Sequence, residues 1–357
     1  MRRENVPGEK LSPAEELARI PLYEKGKPPQ PLIHFDFADE IEIASGRRWG
    51  AQSELGTLRS VMVQPPTSGP VSAPVVLEDP IFFGWPKGIP DLALMKRNHA
   101  SLVRLLEAEG VEVVYLNAPE SVRGTFTEAT CYDAPREPVI LRGGALIGRV
   151  GIASKRGIER LIAKRLVELG CPILYTVHGP GSVFEPGNLV WLDESHVMIG
   201  CGVRTTIEGI REVEPVLRLA GIEEIHVAHL PGYLNFQTER AGGAGGFYHL
   251  DMILGMADER LAVVYPAGMG YESLRYLKEK KIELIEVPLE EVQNYACNLL
   301  AVRPGRVIMT AGNPRTREAL ERRGVSVLEM EFHGGSVSGR GPVCSTLPLI
   351  RDQGPKI

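Results

Sequence analysis

An amphipathic helix that ends at glycine or a polar residue, then runs at once into a short apolar strand, recurs five times in this chain. The five instances are LVRLLEAEG-VEVVYL, IERLIAKRLVELG-CPILYT, VEPVLRLAG-IEEIHVAHL, LRYLKEKK-IELIEV and TREALERRG-VSVLEM. In the first, Leu102, Leu105 and Leu106 fall at i, i+3 and i+4, the spacing of one helix face. The glycines stand where a helix needs a left-handed residue to stop. The strands begin at 111, 171, 222, 282 and 325, in steps of 60, 51, 60 and 43. Further apolar runs lead into each helix: SVMVQ, GALIGRV, NLVWL with HVMIGCG, LAVVYP and RVIMT. Units of this size cannot bury their apolar faces alone and must pack on one another. The pattern predicts an α/β fold closed as a radial array of five units, its unequal steps being loop insertions that carry function. A doubly wound open sheet is the competitor, and it calls for a glycine-rich phosphate loop. AGGAGG at 241–246 lacks the GxGxxG spacing and runs into FYHLD rather than a helix, and no Walker A sequence is present, so nucleotide binding is not expected.

Ahead of these units the chain is polar and proline-rich (KGKPPQPL). Within that stretch SPAEELARI predicts a short helix, capped by Ser12, with Pro13 in its first turn and Glu15 completing a capping box. The expected organisation is an N-terminal arm over 1–53, wrapping the domain or a neighbouring subunit, with partial disorder as its alternative, and a single catalytic domain over 54–357. A net charge of −5 gives no case for nucleic acid or for an anionic membrane surface. No signal peptide or membrane span is expected. Five cysteines (131, 171, 201, 297 and 344) are too few for a disulfide scaffold in 357 residues, and none forms a CxxC pair. The thiols are expected to be reduced and the protein cytoplasmic; a homo-oligomer stays open.

Cys344 lies in GRGPVCSTLPLI, after a glycine-rich approach that lets backbone come close to a ligand. A core thiol more often sits inside an apolar strand. As a nucleophile it needs a base or a positive field, because an ordinary thiol is mostly protonated at neutral pH. His249 in GGFYHLDMILGM is the best-placed base, and the spacing puts Asp251 on the same face of an expected strand. Glu185 in GSVFEPGNLVWL and Asp133 in TCYDAPREPVI are carboxylates at strand mouths. Cys297, in QNYACNLLAV, is a weaker nucleophile candidate, with Asn298 beside it as a polar liner.

The order Asp, Glu-x-Gly-x, His-x-Asp and a late Cys after a glycine run, together with GCGVRTTIEGI and GNPRTREALERRGVSVLEM, resembles the guanidino-group-modifying enzymes of the pentein fold. These are arginine deiminases, arginine dihydrolases, dimethylarginine dimethylaminohydrolases and amidinotransferases, and the likeness spans roughly residues 54 to 352. It implies a five-bladed α/β propeller of pseudo-fivefold ββαβ units. It also implies Cys344 as nucleophile, His249 as general acid and base, Glu185 and Asp133 as catalytic acids, and Asp251, Asn188, Asn298 and Arg204 as substrate-binding residues. Two departures stand out: Asn188 replaces an acid in Glu-Pro-Gly-Asn, and Tyr132 stands before Asp133 where arginine is common. FTEA at 126–129 competes with Asp133 for the same element.

A guanidinium is planar and cationic, and its donors fit carboxylates bidentately. Bound among Asp133, Glu185 and Asp251, it would also favour the Cys344 thiolate. The resemblance therefore implies a hydrolase that cleaves a C–N bond of an arginine-like guanidino substrate through a covalent Cys-amidino intermediate, with no metal or other cofactor. An amidinotransferase, in which an amine replaces water, is the alternative. A non-catalytic pentein binding module, as in ribosome anti-association factors, is the third reading.

Overall fold

The computed structural model describes residues 12–68, 72–83, 88–118, 125–126, 135–231, 249–332 and 340–357. Asp133, residues 127–129 of the competing segment, the AGGAGG run and the glycines of 333–339 lie outside the described residues.

Among the described residues the strands form five separate three-stranded sheets. β1 (Leu58–Val63), β2 (Glu112–Tyr115) and β15 (Thr346–Arg351) form the first, in order β15-β1-β2. β3 (Pro138–Leu141), β4 (Gly144–Ile147) and β5 (Ile173–Thr176) form the second. β6 (Leu189–Trp191), β7 (His196–Cys201) and β8 (Glu224–His229) form the third. β9 (Leu254–Asp258), β10 (Leu261–Val264) and β11 (Glu283–Glu286) form the fourth, and β12 (Leu300–Arg303), β13 (Arg306–Thr310) and β14 (Ser326–Met330) the fifth.

Each sheet is built alike. The middle strand pairs antiparallel with a short edge strand on one side and, after a helix, parallel with a strand on the other. The five helices are Leu92–Ala108, Ile158–Glu168, Ile207–Leu219, Tyr271–Glu279 and Pro314–Glu321. In Ile158–Glu168 the buried Ile158, Ile162 and Leu166 recur every four residues, so one stripe faces the sheet. Gly110 and Gly170 take φ of 76° and 85° as the helices end, and in the fourth unit Lys281 adopts φ 59° in the same role.

Contacts between sheets close into a cycle. β15 touches β3, a bridge joins Arg149 to Phe184, the turn at Leu250–Met252 touches β6, β12 touches β9, and β1 touches β12. The apolar clusters lie between neighbouring sheets: Leu58, Val61 and Leu106 with Leu300 and Ile308, and Leu141 and Leu146 with Leu189 and Ile199. Among the described residues no sheet holds a core of its own. The last strand, β15, completes the sheet that β1 begins, which carries the C-terminal segment and Cys344 back to the middle of the molecule.

The Pro13–Arg19 helix has the expected capping box, with Ser12 and Glu15 bonded reciprocally, and buries no residue. The chain enters the core at Trp49, which is 1% exposed. Among the described residues no helix is long and apolar enough to cross a membrane.

Candidate active site

Six polar side chains share one position in the architecture. Glu137, Glu185, His249, Asp251, Asn298 and Cys344 each stand within five residues ahead of the antiparallel edge strand of their sheet: β3, β6, β9, β9, β12 and β15 in turn. A strand mouth offers backbone groups no longer committed to the ladder, so buried polar groups there can be satisfied by neighbours from the next sheet.

Cys344 is held by Asn298. Asn298 Oδ1 accepts from the Cys344 backbone N–H at 3.1 Å, and Nδ2 lies 3.2 Å from Sγ. The same Nδ2 donates to the Asp251 carbonyl at 3.1 Å. These backbone contacts fix which end of the amide is which. Asn298 is fully buried, and Gly341 makes room for it: a Cβ on Gly341 would stand 2.3 Å from Asn298 Oδ1. Burial pushes the Cys344 thiol up to about 12, and the negative charge of Asp251 adds to the shift; Arg340, Arg136 and Asn298 oppose it. This shift favours the thiol form at neutral pH. Cys297 is buried, which also pushes its thiol up, and among the described residues no charged neighbour offsets the burial.

His249 reaches the site through Glu185. Its Nε2 lies 2.8 Å from Glu185 Oε2. Glu185 also accepts from Arg204 Nη1 at 2.7 and 2.9 Å and from Gly151 N at 2.7 Å. Burial alone would raise the Glu185 pKa, but the Arg204 guanidinium and the His249 bond outweigh it and hold the carboxyl well below the usual range. An ionised Glu185 accepts, so His249 Nε2 donates, which fixes the tautomer and ring orientation.

The sequence predicts His249 and Asp251 on one face of a strand. The structure replaces that strand with a one-turn 3-10 helix over Leu250–Met252, His249 standing extended at its cap. The tripeptide is clamped from both sides. Asn188 Oδ1 accepts from Leu250 N at 3.0 Å, and Asn298 takes the Asp251 carbonyl.

Asn188 and Arg204, expected to bind substrate, each make contacts within the protein. Asn188 is wholly buried and donates Nδ2 to Thr205 Oγ1 at 3.0 Å while it receives Leu250 N, and Arg204 is paired with Glu185. Both act on the site through Glu185 and the His249–Asp251 segment. The departure from an acid at 188 has a local reason: an aspartate could not donate to Thr205.

Two residues escaped the sequence analysis. Glu137 directly precedes β3, and burial, with the charge of Glu185 adding to it, pushes its carboxyl up to about 8. Arg136 lies beside Asp251, with Nε 3.5 Å from Oδ2. The signal was present: Glu137-Pro138 ahead of an apolar strand repeats Glu185-Pro186 ahead of the next. Among the described residues no group of three or more His, Cys, Asp or Glu is spaced to hold a metal ion. The arrangement provides a thiol, an oriented imidazole and buried carboxylates around one point, a set suited to covalent attack on a planar, nitrogen-substituted carbon.

A family model described as arginine deiminase matches residues 272–351. A 2-nitroimidazole nitrohydrolase of Mycobacterium sp. (strain JS330) is 25% identical over 331 residues, covering 89% of this chain and 86% of that protein. The N(G),N(G)-dimethylarginine dimethylaminohydrolase of Pseudomonas aeruginosa is 28% identical over 245 residues, 68% of this chain and 84% of that one. Among solved structures, an amidinotransferase of saxitoxin biosynthesis from Microseira wollei superposes with a TM-score of 0.66 at 15% identity, over 85% of this chain and 97% of that one.

Proposed function

Because the chain belongs to the pentein superfamily, we propose that it is a hydrolase that cleaves a C–N bond of a guanidino compound through a covalent intermediate on Cys344. Its five sheets then act as the blades of an α/β propeller, a reading supported by the cycle of contacts between them. The observation that carries the function is the meeting of two hydrogen-bonded chains in one tripeptide. Cys344–Asn298 reaches it at Asp251, and Arg204–Glu185 reaches it at His249.

In the proposed reaction Asp251 and Glu137 receive the substrate's N–H groups, together with Asp133. A cation in the site lowers the thiol's pKa and releases the thiolate. Sulfur attacks the central carbon, and His249, steadied by Glu185, protonates the departing nitrogen, a role typically contributing ~10²–10⁴-fold. His249 then takes a proton from water, which displaces sulfur and leaves a ureido product. An amine in place of water makes the same site an amidinotransferase.

A second reading takes 2-nitroimidazole, the compound named in the mycobacterial relative, as the kind of carbon attacked. Arg136 beside Asp251 favours it, since an arginine there can face a leaving anion. The test is a panel of guanidines and 2-nitroimidazole, each with and without an amine acceptor. Ammonia or amine release with a ureido product, needing no acceptor and lost in Cys344→Ser, is the expected result; strict dependence on the acceptor would overturn the hydrolase reading. Release of nitrite alone would select the second reading.

A further inference from the structure

Asp251 is 4% exposed, and neither of its carboxylate oxygens has a hydrogen-bond partner among the described residues. Arg136 faces it at 3.5 Å, an ion-pair distance longer than a hydrogen bond, and Arg136 Nε likewise has no hydrogen-bond partner among the described residues. A second guanidinium, Arg351, is 8% exposed and close enough for Arg136 to act on its charge. Arg351 uses Nη1 on the Gly56 carbonyl, while its Nε and Nη2 have no hydrogen-bond partner among the described residues. The protein thus brings a guanidinium of its own, that of Arg136, to the acid that would otherwise await a substrate's, while Glu54 acts on the charge of both Asp251 and Arg351.

We infer that Arg136 sets the charge of the substrate: with Arg136 on Asp251, this end of the site is balanced before anything binds, and it takes an uncharged guanidino or amidine carbon with an anionic leaving group in preference to a free guanidinium. The inference rests on the reading of Cys344 as the nucleophile. A guanidinium entering here must share Asp251 with Arg136 and meet like charge in a poorly solvated place. A neutral substrate meets two complementary groups instead. Its N–H donates to an Asp251 oxygen, and an acceptor atom next to that N–H receives Arg136 Nε–H. Guanidines that carry an electron-withdrawing substituent, and cyclic amidines of the same kind, have this adjacency and are uncharged at neutral pH.

The nucleophile fits the same assignment. A guanidinium substrate would supply the positive field that ionises Cys344; a neutral one cannot. Arg136 and Arg340 oppose the rise that burial and Asp251 impose on the thiol, so part of that field comes from the protein, and the thiol gives its proton to solvent before sulfur attacks. The step then balances without any oxidant or reductant. The Cys344 thiolate forms a C–S bond to the central carbon. The bond to the leaving group breaks, and that group departs with the electron pair as an anion beside Arg136. Water then adds, giving one proton to the imino nitrogen and the other to solvent; the C–S bond breaks, sulfur leaves as thiolate and the product is a urea.

The experiment uses a pair of alkylating agents of one shape and different charge, 2-chloroacetamidine (a cation) and 2-chloroacetamide (neutral), with labelling of Cys344 followed by mass spectrometry on the full chain. Arg136→Met, which frees Asp251, is expected to raise the amidine-to-amide rate ratio about tenfold or more, Arg136→Lys to keep it within about twofold, and Arg136→Met with Asp251→Asn to abolish the gain. An unchanged ratio in a folded Arg136→Met overturns the inference. The wild type decides independently of any variant. Nitroguanidine, which is neutral, should protect Cys344 from iodoacetamide at lower concentration than methylguanidinium, and the reverse order overturns the inference. If neither alkylating agent labels Cys344 in the native wild type although both label it after denaturation, the nucleophile reading fails and the inference falls with it.

Discussion

Asn298 grips Cys344 at two points, its Oδ1 3.1 Å from the cysteine backbone nitrogen and its Nδ2 3.2 Å from the sulfur. The same nitrogen holds the Asp251 carbonyl, so one buried amide spaces the sulfur from the acid. Asn298→Ala strips partners from Cys344 N–H and the Asp251 carbonyl, each worth about 1–3 kcal/mol when buried and left unmade. The expected result is a destabilisation of ~2–4 kcal/mol in denaturant melts, with turnover reduced about a hundredfold by the misplaced sulfur. Asn298→Asp keeps the shape but sets a negative charge against Sγ. Its alkylation rate by iodoacetamide should begin to rise at higher pH than that of the wild type; an identical pH profile would mean that Nδ2 does not act on the sulfur.

Glu185 and Arg204 are both almost fully buried, at 3% and 5% exposed, and are bonded at 2.7 and 2.9 Å. Removing one charge leaves the other uncompensated. Glu185→Gln or Arg204→Met alone should cost about 3–5 kcal/mol, whereas the double variant should recover part of that loss. Denaturant melts of the four proteins give the coupling energy directly, and additive losses would contradict the pairing. Activity should not return with stability in the double variant, since His249 has lost the acceptor that orients it.

The pH dependence of stability should carry the signature of Glu137. Its folded pKa is raised from 4.5 to about 8, so stability present below pH 4.5 is lost progressively as the pH climbs through about 8. Glu137→Gln removes this titration. The variant should match the wild type near pH 4.5 and exceed it in melting temperature at pH 8.5. Parallel melting curves for the two proteins across that range would show that Glu137 is not the titrating group.

The fold was far more legible than the site. Helix stripes such as Ile158, Ile162 and Leu166, recurring every four residues, were in view, and the strands that follow them begin within two residues of the expected positions. The short edge strand PVIL was harder to see, because it is too brief for alternation to register. Cys344, His249, Asp251 and Glu185 stood out by type and setting. The His249–Asp251 turn did not, since His-Leu-Asp alternates as a strand does, and only the Asn188 and Asn298 bonds from other sheets select the 3-10 form. Arg136 was invisible for a related reason: its partner Asp251 lies two sheets further along the chain, and no local spacing records such a pair.

Gly187 tests how tightly the imidazole is seated. A Cβ built on it would lie 2.6 Å from His249 Nδ1 and 2.9 Å from Cγ, closer than real Cβ contacts come. The ring cannot yield toward Glu185, since the Nε2 bond is already 2.8 Å long. Gly187→Ala must therefore turn His249 off its acceptor or shift the Pro186–Asn188 turn, while the apolar clusters between sheets stay intact. The expected outcome is a kcat/KM reduced about a hundredfold or more, from a displaced acid and base, with a modest fall in melting temperature. Alkylation of Cys344 by chloroacetamide should change little, because that reaction needs the thiolate and not the proton on the leaving nitrogen. Gly341→Ala should behave oppositely: its Cβ would strike Asn298 Oδ1 at 2.3 Å, so it should disturb alkylation and turnover together. Equal effects of the two substitutions on alkylation would mean that His249 and Cys344 are not positioned by separate supports.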